Sequence, residues 1–559
     1  MLRRRTRIIG SLAVCLLLGA LPGCGGERPG GPLNAISSPI VSPAAQEIPN
    51  PLRGQYTDML IPLFPQSNPA QKRYPDWPDS YDGSIRVSWR ELQPVDPHSL
   101  PAGTPDDKRF DFHVIDDALA EQAERGVRLT LRVHAYNSCC DETYPNDTNI
   151  AIPDWVRAIP GAATSYPGPP EGSYPHGVTQ VVPNWNDSGY LGAFEQLLAA
   201  LGRRYDSDER LSVFEFSGYG DFSENHNAYL RDALHTPGPP PEKSIGALGY
   251  HSLFRDQNIT KDAARRLIAA HVNAFGHTQL ATALSNPEIV RQMLADDVTA
   301  KLAGPVGFRS DCLGYYSPLP LWAEDPRSWY VQHGDPLIDA LKHQFAIAPV
   351  ITEWCNLTDG VSLHDYYRKG LRDVVRYHVS MTSSVNFPDA DRNSPMDPQL
   401  YLLWAQANTV AGYRYSVEAR EGSQSVRDGV AAITVTWVNT GAAAASENWV
   451  PEYRLVNFTG KVVRTLPSGV NLKTLVQDAA GSQPIPSSAT EHLHVDLKDL
   501  PPGHYTVRAA ATWRQHKPNA THEMNYPPLK LARDGRDEAG YYAIAALEMQ
   551  RDESSIQHD

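Results

Sequence analysis

Long apolar runs, clustered positive charge and familiar catalytic motifs are all scarce in this chain of 559 residues. The only long apolar run is N-terminal and too short to span a bilayer. The net charge of −14 argues against a surface for nucleic acid or anionic lipid, since phosphate binding needs clustered Lys and Arg. GxSxG, HExxH, P-loop and GxGxxG motifs are absent, and the 19 histidines form no tight ligand cluster. We therefore predict no nucleic-acid partner, no cofactor and no metal.

The first 23 residues have the pattern of a secretory signal peptide. A basic segment, Met1 to Arg7, precedes an apolar segment, and Leu21-Pro22-Gly23-Cys24 closes it. These four residues resemble the lipobox of bacterial lipoproteins, in which the Cys is diacylated; the alternative is ordinary signal cleavage. We predict lipidation at Cys24, a flexible tether over residues 24–48, and a location in the bacterial cell envelope. By resemblance, Gly25 after the Cys favours the outer membrane.

Cysteines are few, and two of the six belong to the N-terminal region: Cys15 leaves with the signal, and Cys24 is the lipid site. The remaining four follow predicted strands and are expected to cluster on one rim; they are Cys139, Cys140, Cys312 and Cys355. In an oxidising compartment we predict that they form disulfides, with the connectivity left open. A Cys-only zinc site is the alternative, but CxxC spacing is lacking.

Strand-like and helix-like segments alternate over residues 49–411. Eight strands are predicted: Gly54–Leu60, Ser84–Trp89, Arg128–His134, Leu211–Phe216, Thr278–Leu284, Val306–Asp311, one ending at Glu353-Trp354, and Val379–Phe387. The Pro-rich segment that ends near Asp187 is predicted to hold only short helical turns. Eight βα units in a row predict an α/β fold, a (β/α)8 TIM barrel, with its active site at the carboxyl ends of the strands.

From Gly412 onwards the pattern changes to alternating strands separated by turn residues, without helices. VAAITVTWVNTG and GHYTVRAAATWR are typical segments. We predict an all-β antiparallel sandwich over residues 412–550 and a frayed tail over 551–559. The sandwich is expected to pack against the barrel or to help bind polysaccharide.

Two predicted barrel strands end in carboxyl groups. The segment LSVFEFSGYGDFSENHN passes from an apolar strand through small residues to Asp221 and Glu224, and a second apolar strand ends at Glu353. Glycoside cleavage needs one protonated and one ionised carboxyl group. We predict Glu353 and Glu224 as the catalytic pair, with Asp221 as a rival for the acid/base role. The alternative is that each acid only caps a following turn or helix.

Other residues at the predicted strand ends are candidates for contacts to sugar hydroxyls and rings. They are Trp89, Arg90, His134, Tyr136, Asn137, Tyr219, Arg309, Asp311, Tyr315, Trp354 and Asn386. For each of them, a satisfied hydrogen bond or plain packing is the alternative. Arg309 and Asp311 alternatively pair with one another, and Glu215 in mid-strand alternatively joins a network inside the barrel.

Several short motifs carry a family resemblance. They are Asn50-Pro51-Leu52-Arg53-Gly54, Tyr205-Asp206, the Gly218–Glu224 run, Cys312-Leu313-Gly314 and the WVNTG segment. Over nearly all of the chain after the tether, it resembles an uncharacterised family of secreted bacterial proteins with glycosidase-like barrels and a C-terminal sandwich.

A wider resemblance is to the retaining glycoside hydrolase clan, whose barrels carry an acid/base Glu after strand four and a nucleophile Glu after strand seven. That resemblance implies these roles for Glu224 and Glu353. One departure is that the clan has Asn-Glu directly at the end of strand four, whereas Glu224 lies three residues beyond Asp221.

Together these features predict a cell-surface glycoside hydrolase that cleaves a poly- or oligosaccharide with two carboxyl groups. The alternative is a non-catalytic surface glycan-binding lipoprotein. In both cases the partner is a carbohydrate, and the membrane is contacted only through the N-terminal lipid. A carboxyl separation of about 5–10 Å favours hydrolysis, whereas an acid locked to an arginine favours binding.

Overall fold

Eight parallel strands close into a barrel. The computed structural model describes residues 47–59, 82–137, 148–166, 179–226, 259–354, 361–383, 397–420, 425–427 and 429–549, all within one compact unit, Ser42–Asp559. The barrel strands are β1 (Gly54–Asp58), β2 (Gly83–Ser88), β3 (Leu129–His134), β4 (Leu211–Glu215), β5 (Gln279–Ala283), β6 (Gly307–Leu313), β7 (Val350–Trp354) and β8 (Met381–Ser383). They neighbour one another in sequence order, and β8 closes on β1. The predicted TIM barrel is confirmed, although residues 384–396 at the end of the predicted eighth strand lie outside the described residues.

Helices cover the outside of the barrel. Those of seven residues or more among the described ranges are α1 (His113–Glu124), α2 (Ser188–Tyr205), α3 (Lys261–Ala274), α4 (Pro287–Met293), α5 (Pro336–Ile347), α6 (Leu363–Arg376) and α7 (Pro398–Val410). Single turns occur at Trp89–Leu92, Pro97–Ser99, Asp106–Arg109, Asp154–Arg157, Asp221–Ser223, Asp296–Thr299, Leu321–Glu324, Trp329–Gln332 and Leu472–Thr474. Three helices begin with a capping side chain followed by proline, at Asn286, Asp335 and Asp397. This order satisfies the first free N–H groups and fixes the backbone for the first turn.

A small sheet lies between β3 and α2. It pairs Thr148–Asn149, Ala163–Tyr166 and Thr179–Pro183. The prediction that this Pro-rich segment holds only short helical turns is therefore wrong. Val181 and Val182 are fully buried in the barrel's outer core. This burial favours strands despite the prolines nearby, since β-branched side chains pack well on a half-buried sheet.

The C-terminal part is a sandwich of two antiparallel sheets, as predicted. Its strands are β9 (Tyr415–Ala419), β10 (Ser425–Arg427), β11 (Val430–Asn439), β12 (Trp449–Asn457), β13 (Val462–Pro467), β14 (Ser487–Asp496), β15 (Gly503–Trp513) and β16 (Tyr542–Met549). One sheet pairs β9, β10 and β14 with β11, and the other has the order β13-β12-β15-β16. Trp437 Nε1 of the first sheet donates to Tyr453 Oη of the second at 2.8 Å, so the two layers are joined inside their shared core.

The sandwich docks on the amino-terminal face of the barrel. Lys517 Nζ donates to the main-chain oxygens of Asp208 and Leu211 at 2.7 and 3.0 Å, and to Thr278 Oγ1 at 2.8 Å. These three acceptors lie at or just before the starts of β4 and β5. Burial lowers the pKa of Lys517 to about 7. A cation from the sandwich thus enters the end of the barrel that lies opposite the predicted active site.

A buried ion pair extends this contact to β3. Both terminal nitrogens of Arg128, the residue before β3, lie 2.7 Å from the carboxylate oxygens of Glu447 in the sandwich. The guanidinium also lies against the rings of Trp513 and Tyr526, at 5.7 and 5.2 Å from their centroids. Planar, bidentate pairing of this kind holds two surfaces in one orientation. The sandwich therefore packs against the barrel, as one of the two predicted roles requires.

The N-terminal predictions fall largely outside the described part of the chain. The predicted signal peptide, Cys24 and most of the tether belong to residues 1–46. At the end of the predicted tether, Arg53 ion-pairs with Glu47 and donates to the main-chain oxygen of Ile48 at 2.5 Å. No helix in the described ranges combines the length and apolar character needed to cross a bilayer.

Candidate active site

The interior of the barrel changes from apolar to charged along its strands. Tyr56, Val213 and Ile351 belong to one buried cluster inside the barrel. Because side chains alternate along a strand, the residue two positions later points to the same side. Those residues are Asp58, Glu215 and Glu353. The sequence thus brings carboxyl groups together at the carboxyl ends of the strands, here called the barrel mouth.

Arg309 on β6 contacts three carboxyl groups at the barrel mouth. Its Nε lies 2.8 Å from Asp311 Oδ1 and its Nη1 lies 3.2 Å from Glu215 Oε1, while Nη2 donates to Glu353. The guanidinium side chain is only 3% exposed, whereas Asp311 and Glu353 keep 21% and 13% of their side-chain surface. Pairing of Arg309 with Asp311, and a network role for Glu215, were both among the sequence-based alternatives.

Arg132 on β3 continues the network to the turn after β4. Its Nε lies 3.5 Å from Glu215 Oε2, and its Nη1 lies 3.3 Å from Glu224 Oε1. The other carboxylate oxygen of Glu224 lies 3.2 Å from His226 Nε2. Within the described part of the chain, none of the three Arg132 nitrogens makes a hydrogen bond of good geometry. The predicted acids Glu353 and Glu224 therefore belong to one continuous set of charges.

Arg86 on β2 is the third cation of the mouth. It is paired in register with Arg132 on β3, and it lies 4.0 Å from Asp58. It also interacts electrostatically with Glu353 and Glu224. Among the described residues, these ion pairs join three guanidinium groups, Arg86, Arg132 and Arg309, to five carboxyl groups, Asp58, Glu215, Glu224, Asp311 and Glu353. His226 adds a fourth positive group to this set when it is protonated.

Burial and the neighbouring charges shift the pKa values of four groups at the mouth. Burial acts to raise the pKa of Glu224, but the hydrogen bond from His226 and the charge of Arg132 hold that pKa well below its usual range. For His226 burial acts downward, yet Glu224 raises the pKa above its ordinary value. Burial raises the pKa of Asp311 to about 7. The charge of Arg309 acts to lower this pKa, and the charges of Glu224 and Glu353 act to raise it. Burial lowers the pKa of His134 to about 3, so that imidazole is neutral.

The turn that carries Glu224 and His226 has an unusual backbone. Gly218 and Gly220 have φ values of 87° and 82°, and an added Cβ at Gly218 would lie 2.4 Å from the Phe194 ring. Phe222, Ser223 and Asn225 adopt φ values of 52°, 60° and 59°. Non-glycine residues in this region are strained and need support from their surroundings.

Hydrogen bonds to neighbouring strands supply that support. Ser223 Oγ accepts from Gly218 N at 3.0 Å and donates to Val133 O at 2.8 Å. Asn225 Nδ2 donates to Thr282 Oγ1 and Ala283 O, at 3.1 and 2.9 Å. The turn is thereby fixed to both β3 and β5, and Glu224 is presented from a rigid base.

Several predicted sugar contacts are instead core residues. Trp89, Tyr219 and Trp354 are completely buried. Trp89 packs edge-on against Phe194, and Tyr219 packs edge-on against Trp185, whereas Trp354 packs at a tilt against Tyr367. Tyr315 is 41% exposed and lies edge-on to Tyr316 in the loop after β6. Of these four aromatic side chains, Tyr315 alone offers a solvent-facing ring.

The remaining predicted polar residues occupy varied positions. Asp221 and Tyr136 are fully buried, and Tyr136 Oη donates to Gln180 at 3.1 Å. Asn137 is buried beside Asn149, and His134 is buried close to Arg86 and Arg132. Arg90 forms a bidentate pair with Asp154 at 2.7 Å. Asn386 lies outside the described residues.

The cysteine predictions are only partly within the described chain. Cys312, adjacent to Asp311, is disulfide-bonded. Cys139, Cys140 and Cys355 lie outside the described residues. Across the described ranges, no group of three or more His, Cys, Asp or Glu side chains is arranged to hold a metal ion.

Sequence reasoning missed Arg86, Arg132 and His226. Both arginines stand in mid-strand between apolar residues, in GSIRVS and LTLRVH. A charge at such a position is a signal for an interior network, provided the strand's inward face is known. For His226, the signal in the sequence is its spacing of two residues from Glu224, which allows direct contact.

Comparisons with known proteins give fold relatives only. No protein-family profile matches the sequence, and no curated protein matches it. The endo-β-1,4-mannanase from Thermotoga petrophila aligns with 84% of this chain and 95% of its own, at 8% identity and a TM-score of 0.32. For the GH5-4 broad-specificity endoglucanase from an uncultured bacterium, the coverages are 59% and 80%, the identity 10% and the TM-score 0.29. The β-1,4-D-mannanase from Cryptopygus antarcticus aligns with 58% of this chain and 78% of its own, at 10% identity and a TM-score of 0.30. Similarity this weak says nothing about activity, and the fold assignment rests on the closed barrel itself.

Proposed function

We propose that this protein is a glycoside hydrolase that cleaves a poly- or oligosaccharide at the barrel mouth. The observation that carries the proposal is a set of three partly exposed carboxyl groups in unequal charge environments. Glu353 accepts from Arg309, Glu224 is held between Arg132 and His226, and Asp311 shares Arg309 with Glu353.

Such inequality suits glycoside cleavage. The reaction needs one carboxylate to attack or stabilise the anomeric carbon, and one carboxylic acid to protonate the leaving oxygen. A site that separates the pKa values of neighbouring carboxyl groups can supply both at the same pH. We assign the attacking role to Glu353, which lies near the end of β7 at the barrel mouth and accepts a hydrogen bond from Arg309.

The test is a comparison of wild type with Glu353→Gln on a panel of polysaccharides and aryl glycosides. We expect wild type to release sugar and the variant to lose at least about a thousandfold in kcat/KM. Glu195→Gln is the matched control, because Glu195 also pairs with an arginine, Arg266 at 2.8 Å, but on the outer helices. Activity that survives in Glu353→Gln would remove Glu353 from the mechanism while leaving the enzyme.

One observation favours the alternative, a glycan-binding protein without turnover. Glu353 is hydrogen-bonded to Arg309, and an acid held by an arginine is what that alternative predicts. Arg309, however, also contacts Asp311 and Glu215, so a single positive charge is shared among three carboxyl groups. Isothermal titration calorimetry beside the activity panel separates the two functions: heat of binding without released sugar would establish the binding protein.

We also propose that the protein is exported and anchored to the cell envelope by a lipid on Cys24. Support comes from the basic, apolar and Leu21-Pro22-Gly23-Cys24 segments of the N-terminus. Incorporation of labelled palmitate into wild type but not into Cys24→Ser would support the anchor. Equal partition of both proteins into the soluble fraction would refute it.

A further inference from the structure

We infer that Asp311 is the proton donor of the proposed reaction and that Glu224 remains an ionised member of a fixed network. This inference rests on the proposed function and names the acid within it. The sequence predicts Glu224 for the acid/base role, with Asp221 as its rival. The arrangement of the mouth favours neither.

Glu224 is held by positive groups on both oxygens. Arg132 Nη1 lies 3.3 Å from one oxygen, and His226 Nε2 lies 3.2 Å from the other. Loss of the negative charge would leave Arg132 with Glu215 alone among its close carboxylate partners. A carboxyl group in this position is a poor acid, because two neighbours stabilise its ionised form. Asp221 is fully buried and has no surface from which to reach a substrate.

Asp311 has the opposite setting. Its partner Arg309 also contacts Glu215 and Glu353, so one positive charge is shared among three carboxyl groups. Glu224, Glu353, His226 and Arg132 also act on it across the mouth. It is the most exposed carboxyl group of the network, at 21% of its side-chain surface. With a pKa raised to about 7, it can hold a proton near neutral pH.

Asp311 and Glu353 are also neighbours. Asp311 accepts from Arg309 Nε and Glu353 accepts from Arg309 Nη2, so both carboxyl groups lie at one guanidinium group. In the first step a Glu353 oxygen forms a bond to the anomeric carbon. The bond from that carbon to the leaving oxygen breaks, and the oxygen keeps the electron pair and takes the proton of Asp311. In the second step the Asp311 carboxylate removes a proton from water, the water oxygen bonds to the anomeric carbon, and the Glu353 carboxylate leaves.

The experiment compares Asp311→Asn with Glu224→Gln in the full chain. A general acid is needed most when the leaving group is poor, and its loss costs about 10²–10⁴-fold. On phenyl glycosides of glucose, galactose, mannose and cellobiose, we expect the kcat/KM of Asp311→Asn to fall by about 10²–10⁴-fold. On the matching 2,4-dinitrophenyl glycosides, whose leaving group needs no proton, we expect a loss below about tenfold. Glu224→Gln should reduce both substrates equally, and the fall in wild-type kcat/KM above about pH 7 should vanish only in Asp311→Asn.

Infrared difference spectra give a second readout that needs no substrate. At pH 6 we expect the band of a protonated carboxyl group in wild type and in Glu224→Gln, and its loss in Asp311→Asn. A retained band in Asp311→Asn, or leaving-group dependence in Glu224→Gln, would overturn the inference and return the acid role to Glu224. If wild type cleaves no glycoside, the proposed function fails, and the infrared band still decides whether Asp311 holds the proton. Urea unfolding midpoints of both variants check that they fold.

Discussion

Replacing Glu447 by Gln should weaken the whole fold, although this residue lies far from the barrel mouth. The change keeps the shape of the side chain but removes its charge from a bidentate pair with Arg128. Arg128 and Glu447 keep only 4% and 10% of their side-chain surface, so water cannot replace the lost partner.

The size of the effect follows from the charge that remains. Removing one member of a buried ion pair costs about 3–5 kcal/mol, because the other charge stays buried without compensation. Here Asp82 lies near Arg128 and retains part of the compensation, and the glutamine oxygen can still accept one hydrogen bond. We therefore expect a loss near the lower end, about 3 kcal/mol in the free energy of unfolding.

Urea unfolding followed by tryptophan fluorescence measures this loss, since Trp513 lies against Arg128. Asp106→Asn is the control, because its 2.7 Å pair with Arg203 is exposed and should be worth at most about 1 kcal/mol. In the double variant Arg128→Met with Glu447→Met, part of the stability should return, since neither member of the pair is left alone and Asp82 keeps its two main-chain donors. A loss in Glu447→Gln no larger than in Asp106→Asn, or a double variant as weak as the single one, would refute the reasoning.

Two further substitutions test the interface and the turn. Lys517→Met leaves three acceptors at the barrel base without their donor and should cost about 1–3 kcal/mol in the free energy of unfolding. The control is Lys530→Met, since Lys530 is exposed. Equal urea midpoints for the two variants would contradict the expectation. Gly218→Ala should cost about 3 kcal/mol, because it combines a left-handed backbone with a clash against Phe194. Gly126→Ala has a similar φ of 72° but open space around it, so its smaller loss in the same urea assay isolates the clash.

The parts of the fold that the sequence predicts correctly are those with local signals, such as apolar strands and helix caps. Barrel strands such as β4 and β7 are short and mainly apolar, and helices such as α7 carry their own start signal at Asp397-Pro398. The small sheet between β3 and α2 has no such signal. Its strands are two to five residues long, and the buried Val181 and Val182 stabilise them through contact with the barrel. That contact is tertiary and leaves no local periodicity.

The site was predictable only in part, for a related reason. Glu353 could be singled out because it ends an apolar strand, and the period of two places it inside the mouth. Arg86 and Arg132 have the same inward direction, but recognising it requires the register of β2 on β3. The prediction that aromatic residues contact sugar rings fails for another reason. Trp89 and Trp354 follow strand ends as sugar-binding residues do, yet their rings turn into the layer between strands and helices.

The two ends of the barrel use charge in different ways, and this contrast bears on function. At the amino-terminal face, Arg128 and Glu447 neutralise one another in a bidentate pair, as expected where charges serve only to fix two surfaces. Among the described residues of the mouth, five carboxyl groups contact three guanidinium groups, and Asp311 has a strongly raised pKa. The turn that carries Glu224 also has a strained backbone. Perturbed pKa values and backbone strain concentrate at functional sites, so the contrast with the Arg128–Glu447 pair supports the function proposed for the mouth.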